Sequence, residues 1–165
     1  QFERVQWAVI QSGTALRGNE NTGKHDPMRL AAMLQVCAKW GLLSKCHNAD
    51  YLPKYQVIKM FGFGVDAMNV APEMGQIESQ TYLTAIGEDQ NLLDTFHKIV
   101  HASGLWTKWL IAEQATDKVA LINAAGHYVL SHPDFVTHIK SQYPEIDQTV
   151  KANVTRRLEE LHGCV

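Results

Sequence analysis

The chain has 165 residues, of which 45% are hydrophobic, 19% charged and 8% aromatic, and its formal net charge at pH 7 is −2. That balance excludes a disordered chain, and no run approaches the roughly 20 apolar residues of a membrane span. Lys and Arg number 15 against 17 Asp and Glu, with no basic stripe, which argues against a nucleic-acid partner.

By length the chain reads as one domain. It begins at Gln1, without an initiator Met or a signal-peptide pattern, directly before a strand. Residues 5–11 (VQWAVIQ) are apolar and β-branched enough for that strand, and SGTALRGNENTGKH follows as a long Gly/Asn-rich loop. Asp26 and Pro27 then supply an N-cap and a first helical position. Leu30, Met33, Leu34 and Cys37 keep helical spacing, and Gly41 stands where a C-terminal cap glycine belongs. Residues 42–46 read as a short second strand, HNADYLP as its exit loop and residues 54–61 as a short helix. Gly62-Phe63-Gly64 terminates that helix and is no dinucleotide fingerprint, because it precedes a strand. Residues 63–71 (FGVDAMNVA) form a third strand, closed by Pro72 and the polar segment 73–76. Beyond it the pattern is helical. Leu92, Leu93, Phe96, Ile99 and Val100 share one face; a helix capped by Asp117 runs through Val119, Ile122 and Val129; the last, from about Asp147 to His162, aligns Val150, Val154, Leu158 and Leu161.

The expected architecture is therefore α/β: three parallel strands with helices over residues 1–90, then an all-helical tail over residues 91–165 of the same domain. Three parallel strands leave two raw edges, whereas a closed (β/α)8 barrel needs eight. The chain thus reads as the C-terminal part of a TIM-type barrel whose earlier strands lie elsewhere.

In such folds the loops leaving the C-terminal strand ends build the site. The first carries Gln11, Ser12, Thr14, Arg17, Asn19, Asn21, Lys24 and His25 with three glycines, a composition suited to a phosphate or a polyhydroxylated sugar, or to a plain surface loop. The second gathers Lys45, His47, Asn48, Asp50 and Tyr51 within seven residues. There His47 could ligate a divalent metal such as zinc or shuttle a proton. Asp50 could orient it, act as a base or donate a carboxylate ligand, or could simply cap the next helix. In the third, Asn69 leaves the strand and Glu73 follows it, placed to bind a metal, a sugar hydroxyl or a Lys. Pro72 also has a plain structural reading, since it lacks an N–H for the ladder.

Other chemistry-bearing residues have cheaper explanations. His97, His101, His138 and His162 are scattered solvated or half-buried positions, and His127 and His132 are expected at a helix end where a protonated ring suits the dipole. Trp106 and Trp109 read as packing anchors. Cys37, Cys46 and Cys164 are too irregularly spaced for a disulfide framework or zinc knuckle, which makes the reducing cytoplasm the expected compartment and Cys37 a core residue.

The order strand, Gly/Asn loop, helix, HNADY, then strand with NVAPE resembles the accessory-subunit family of tagatose-bisphosphate aldolases. These are the large non-catalytic partners of the class II aldolases, also labelled tagatose 6-phosphate kinases. His47, Asp50 and Tyr51 match a His-x-x-Asp-Tyr motif after a barrel strand, and Gln11 and Gly13 match a strand ending in Gln-x-Gly. The similarity covers roughly residues 5–90, and the segment 65–76 departs from the family's pattern. The resemblance implies a protein two to three times longer, active in carbohydrate metabolism, with a sugar or sugar phosphate at the barrel mouth. It also implies a catalytic aldolase subunit or a second copy as partner. On this reading Gln11, Thr14, Arg17, Lys24, Asn48, Tyr51 and Asn69 bind substrate. Some relatives are metal-dependent sugar epimerases, so the alternative is an epimerase or aldolase active in its own right, with His47 as metal ligand and Asp50 and Glu73 as catalytic acid/base groups.

Overall fold

The computed structural model describes residues 4–18 and 20–165; Asn19 and the N-terminal Gln1 lie outside the described residues. The chain divides into two compact units, one made of residues 1–71 and 158–165 and the other of residues 72–157.

The first unit is built on a parallel sheet of β1 (Trp7–Ile10), β4 (Leu43–Cys46) and β5 (Ala67–Met68), in the order β1-β4-β5. Between β1 and β4 come a two-residue hairpin, β2 (Leu16–Arg17) and β3 (Glu20–Asn21), and the helix α1 (Pro27–Lys39). The expected start of α1 holds: the Asp26 carboxylate accepts from the N–H groups of Met28 and Arg29, and Pro27 fills the first position. Gly41 follows the helix at φ +62°. The helix α2 (Lys54–Gly62) ends where expected, before Gly64, but its N-cap is Pro53, with no side-chain cap hydrogen bond, so Asp50 does not cap it.

The third strand is far shorter than the nine residues expected. Residues 63 and 64 belong to the exit from α2, and the Asp66 carboxylate occupies the position of a ladder partner. It accepts from both the backbone N–H and the hydroxyl of Ser44 at 2.8 Å, while Asp66 N–H donates back to the Ser44 hydroxyl. Beyond Met68 the chain keeps contact with its neighbour through Asn69, whose N–H donates to Cys46 and whose carbonyl accepts from Ala49.

Sheet alternation sorts the side chains by face. Ile10, Ser44 and Cys46 point toward α1 and α2, where Ile10 and Cys46 join Leu30, Cys37, Val57, Met60 and Cys164 in one buried cluster. Cys37 is thus the core residue expected, and all three cysteines are free. The opposite alternation, Trp7, Val9 and Leu43, is exposed, Val9 by 55%.

In the second unit, Pro72 does not merely close a strand. It opens a 15-residue helix, α3 (Pro72–Ile86), which absorbs the segment expected to be polar loop. There follow α4 (Gln90–Ser103), α5 (Lys118–Ala125), α6 (Pro133–His138) and α7 (Ile146–His162), of which α7 belongs to this unit up to Arg157. Asp117 caps α5 as expected, but that helix stops at Ala125, and Gly126–Val129 is a 3-10 turn. The core is aromatic: Phe135 packs 4.9 Å from Tyr82 and 4.8 Å from Phe96, ringed by Val100, Leu121, Ile122 and Ile139. The dipole reading of two histidines is corrected here. His132 caps the N-terminus of α6, its Nδ1 accepting from the N–H of Asp134, and burial holds His127 below its ordinary value, which disfavours a charged ring. Among the described residues no helix is long and apolar enough to cross a membrane.

Candidate functional site

The site begins with the sharp return of the first loop. Gly13 has φ +96°, and a Cβ there would lie 2.0 Å from the Lys24 carbonyl oxygen, so only glycine permits this crossing. The crossing brings Asn21 back against the exit of β4. Its Nδ2 donates to the carbonyls of Asn48 at 2.8 Å and Asp50 at 3.0 Å, while Oδ1 accepts from the N–H groups of Ala15 and Gly23. One amide side chain therefore fastens the first loop to the second. A second tie runs from the Thr14 hydroxyl to the His47 carbonyl at 2.6 Å, and beneath both the Ser12 hydroxyl sits 2.7 Å from the Cys46 thiol.

Held this way, the second loop carries backbone strain. Asn48 (φ +57°) and Tyr51 (φ +59°) both occupy the left-handed region, which Asn tolerates and an aromatic residue seldom adopts. Non-glycine residues persist in that region only where their surroundings enforce it, and such strain gathers at functional sites. Between them Asp50 is only 2% exposed, and its Oδ1 accepts the N–H of Ala71 at 2.7 Å, which links the second loop to the third.

The residues expected to bind substrate fall into two groups. Thr14, Asn48 and Tyr51 are half-buried in the tied loops, with His47 beside them, whereas Gln11, Arg17, Lys24 and Asn69 have exposed side chains. Glu73 lies in the second unit, in the first turn of α3. It is buried, and Arg157 Nε donates to its carboxylate at 2.8 Å. Asn21, which clamps the loops, stands in the Gly/Asn run of the sequence without any local pattern to single it out; its role follows from the Gly13 crossing.

Among the described residues no three His, Cys, Asp or Glu side chains are grouped to hold a metal ion. His47 is one candidate ligand, so these residues alone do not fit a zinc site.

No protein-family model matches the chain. No curated protein matches it either. Among solved structures it is similar to a probable tagatose 6-phosphate kinase from Sinorhizobium meliloti 1021, with a TM-score of 0.72 and 16% identity. The chain shares that fold. The likeness covers 99% of this chain and 54% of the other, so the chain spans about half the length of the structure it matches. The mixed α/β character expected from the sequence, three parallel strands with many helices, is what the structure has, and the match is to a protein carrying one of the labels of the family it resembles.

Proposed function

We propose that the chain is part of a TIM-type barrel protein of carbohydrate metabolism, with the helices beyond β5 as its tail, and that it binds a sugar phosphate at the C-terminal ends of β1, β4 and β5. The observation that carries this reading is the clamp of Asn21 on the carbonyls of Asn48 and Asp50, which fixes two strand-exit loops around strained backbone. Preorganised loops at parallel strand ends are where ligands of α/β folds bind. The exposed Arg17 and Lys24 supply cations for a phosphate, and Gln11, Asn48, Tyr51 and Asn69 supply hydrogen-bonding groups for hydroxyls.

An accessory, non-catalytic role in the cytoplasm is favoured over independent catalysis. Asp50 and Glu73, the carboxylates that would act as acid and base, are both buried and bonded, one to a backbone amide and one to Arg157. The exposed sheet face of Trp7, Val9 and Leu43 is a place for a catalytic subunit or a second copy to pack.

Calorimetric titration of the chain with tagatose 6-phosphate and with inorganic phosphate tests this. Saturable binding of the sugar phosphate is expected, weakened about tenfold or more, ~1.4 kcal/mol, in the Arg17→Ala, Lys24→Ala double variant. Equal affinity in the double variant rules out the proposed phosphate contact. Equilibrium dialysis against zinc separates the alternative: uptake lost in His47→Ala supports a metal-dependent epimerase or aldolase.

A further inference from the structure

The second unit contains a cavity of about 350 Å³ that none of the preceding chemistry uses. Its polar lining comes from Glu78 and Tyr82 on α3, His127 on the 3-10 turn, Ser131, Lys140, and Asp147 on α7. Leu130 and Val150 give it an apolar wall.

The charges there are unequally matched. Lys140 Nζ lies 2.8 Å from the Asp147 carboxylate, so that pair is self-neutralising. Glu78 makes no ion pair among the described residues, although Lys140 lines the same cavity. Partial burial alone raises its carboxyl above the ordinary value, the signature of a desolvated acid without compensation. Burial above all, and then the carboxylates of Asp147 and Glu78, push the Tyr82 phenol up to about 12, which keeps it a neutral hydroxyl.

His127 is oriented by Gly75. The two are so close that a Cβ on Gly75 would lie 2.6 Å from the imidazole ring. This contact buries Nδ1, which has no hydrogen-bond partner, and leaves Nε2 as the open ring nitrogen. Because burial keeps the ring neutral, the less costly tautomer leaves Nδ1 as an unfilled acceptor and puts the proton on Nε2, available to donate.

An uncompensated carboxylate, a neutral imidazole donor, a phenol and an apolar wall define complementary chemistry. We infer that this cavity is a second binding site, for a small hydroxylated organic amine. The ammonium pairs with Glu78, a ligand hydroxyl oxygen accepts from His127 Nε2, and the carbon skeleton lies on Leu130 and Val150. A phosphorylated ligand is disfavoured by the same carboxylates, which separates this site from the one proposed at the strand ends. The inference does not rest on that earlier reading.

The probes are D-glucosamine, D-glucose and glucose 6-phosphate, titrated into the chain with His127 ring signals followed by NMR. Glucosamine is expected to shift those signals saturably, at least about tenfold more tightly than glucose, a preference erased in Glu78→Gln. His127→Gln, read by calorimetry, is expected to weaken both neutral and amino sugar while keeping the preference for the amine. Thermal melts confirm that each variant is folded. Equal binding of glucosamine and glucose, an amine preference surviving Glu78→Gln, or no binding of any probe overturns the proposal.

Discussion

At the scale of single residues, Asp50 and Asp66 do comparable work with opposite exposure. Asp50 is buried and holds the N–H of Ala71; Asp66 is exposed and holds the N–H and hydroxyl of Ser44. Asp50→Ala leaves a backbone donor without its acceptor, so a loss of about 1–3 kcal/mol is expected in urea unfolding. Asp50→Asn retains an acceptor oxygen and is expected to lose less. A loss in Asp50→Ala below that of Asp50→Asn refutes the latch. Asp66 offers a pH test. The two bonds from Ser44 hold its carboxyl below the ordinary value, the backbone one contributing most. A depressed folded value means that the stabilisation is present above the unfolded value and disappears as pH falls through the folded one. Of the two bonds to the carboxylate, Ser44→Ala removes the hydroxyl one and keeps the backbone one, so NMR titration is expected to show the Asp66 carboxyl rising part of the way to its ordinary value. No movement contradicts the assignment.

At the scale of elements, the helices that read clearly from sequence are those with strong end chemistry or an apolar stripe. Asp26-Pro27 announces α1, and Asp89 and Asp117 cap α4 and α5 through their carboxylates. The helix α3 is masked in the sequence because its inward side includes Glu73, Gln76, Ser79 and Thr81 alongside Tyr82 and Ile86, so polar residues blur its period. Pro72 with Glu73 was a legible start signal, since proline suits a first helical position as well as it ends a strand. The third strand is shorter than its pattern suggests because Phe63 and Gly64 form the exit from α2, and Asp66, just before β5, engages Ser44 through its side chain. The positions of His47, Asn48, Asp50 and Tyr51 at a strand exit were readable from HNADY, whereas the bonds that engage Asp50 and Glu73 depend on Ala71 and Arg157, 21 and 84 residues away. Within the second unit, Phe135 is the hub of the aromatic cluster, fully buried on a six-residue helix that its packing stabilises. Phe135→Ala is expected to cost about 3–5 kcal/mol in denaturant unfolding, with loss of near-ultraviolet dichroism. A cost under ~1 kcal/mol would show that the cluster repacks around the gap.

At the scale of the whole molecule, one face of the parallel sheet leaves apolar side chains exposed among the described residues. Parallel sheets ordinarily bury both faces, and the exposed one here presents Trp7, Val9 and Leu43. The chain alone is therefore expected to self-associate in a concentration-dependent way in sedimentation velocity, and Trp7→Ser with Val9→Thr is expected to shift it toward monomer. A monomer at all concentrations before substitution refutes packing of a second copy on that face.

The first unit is discontinuous in sequence: Leu161 and Cys164 complete a cluster begun by Ile10 and Leu30, with the whole second unit between them. On the ribosome the order of completion is then reversed from the order of synthesis. Residues 72–157 have all their own core side chains in hand before residues 158–165 are translated, so the second unit can close first. The first unit, though its strands precede the second unit in the chain, keeps an open cluster until residues 158–165 are made.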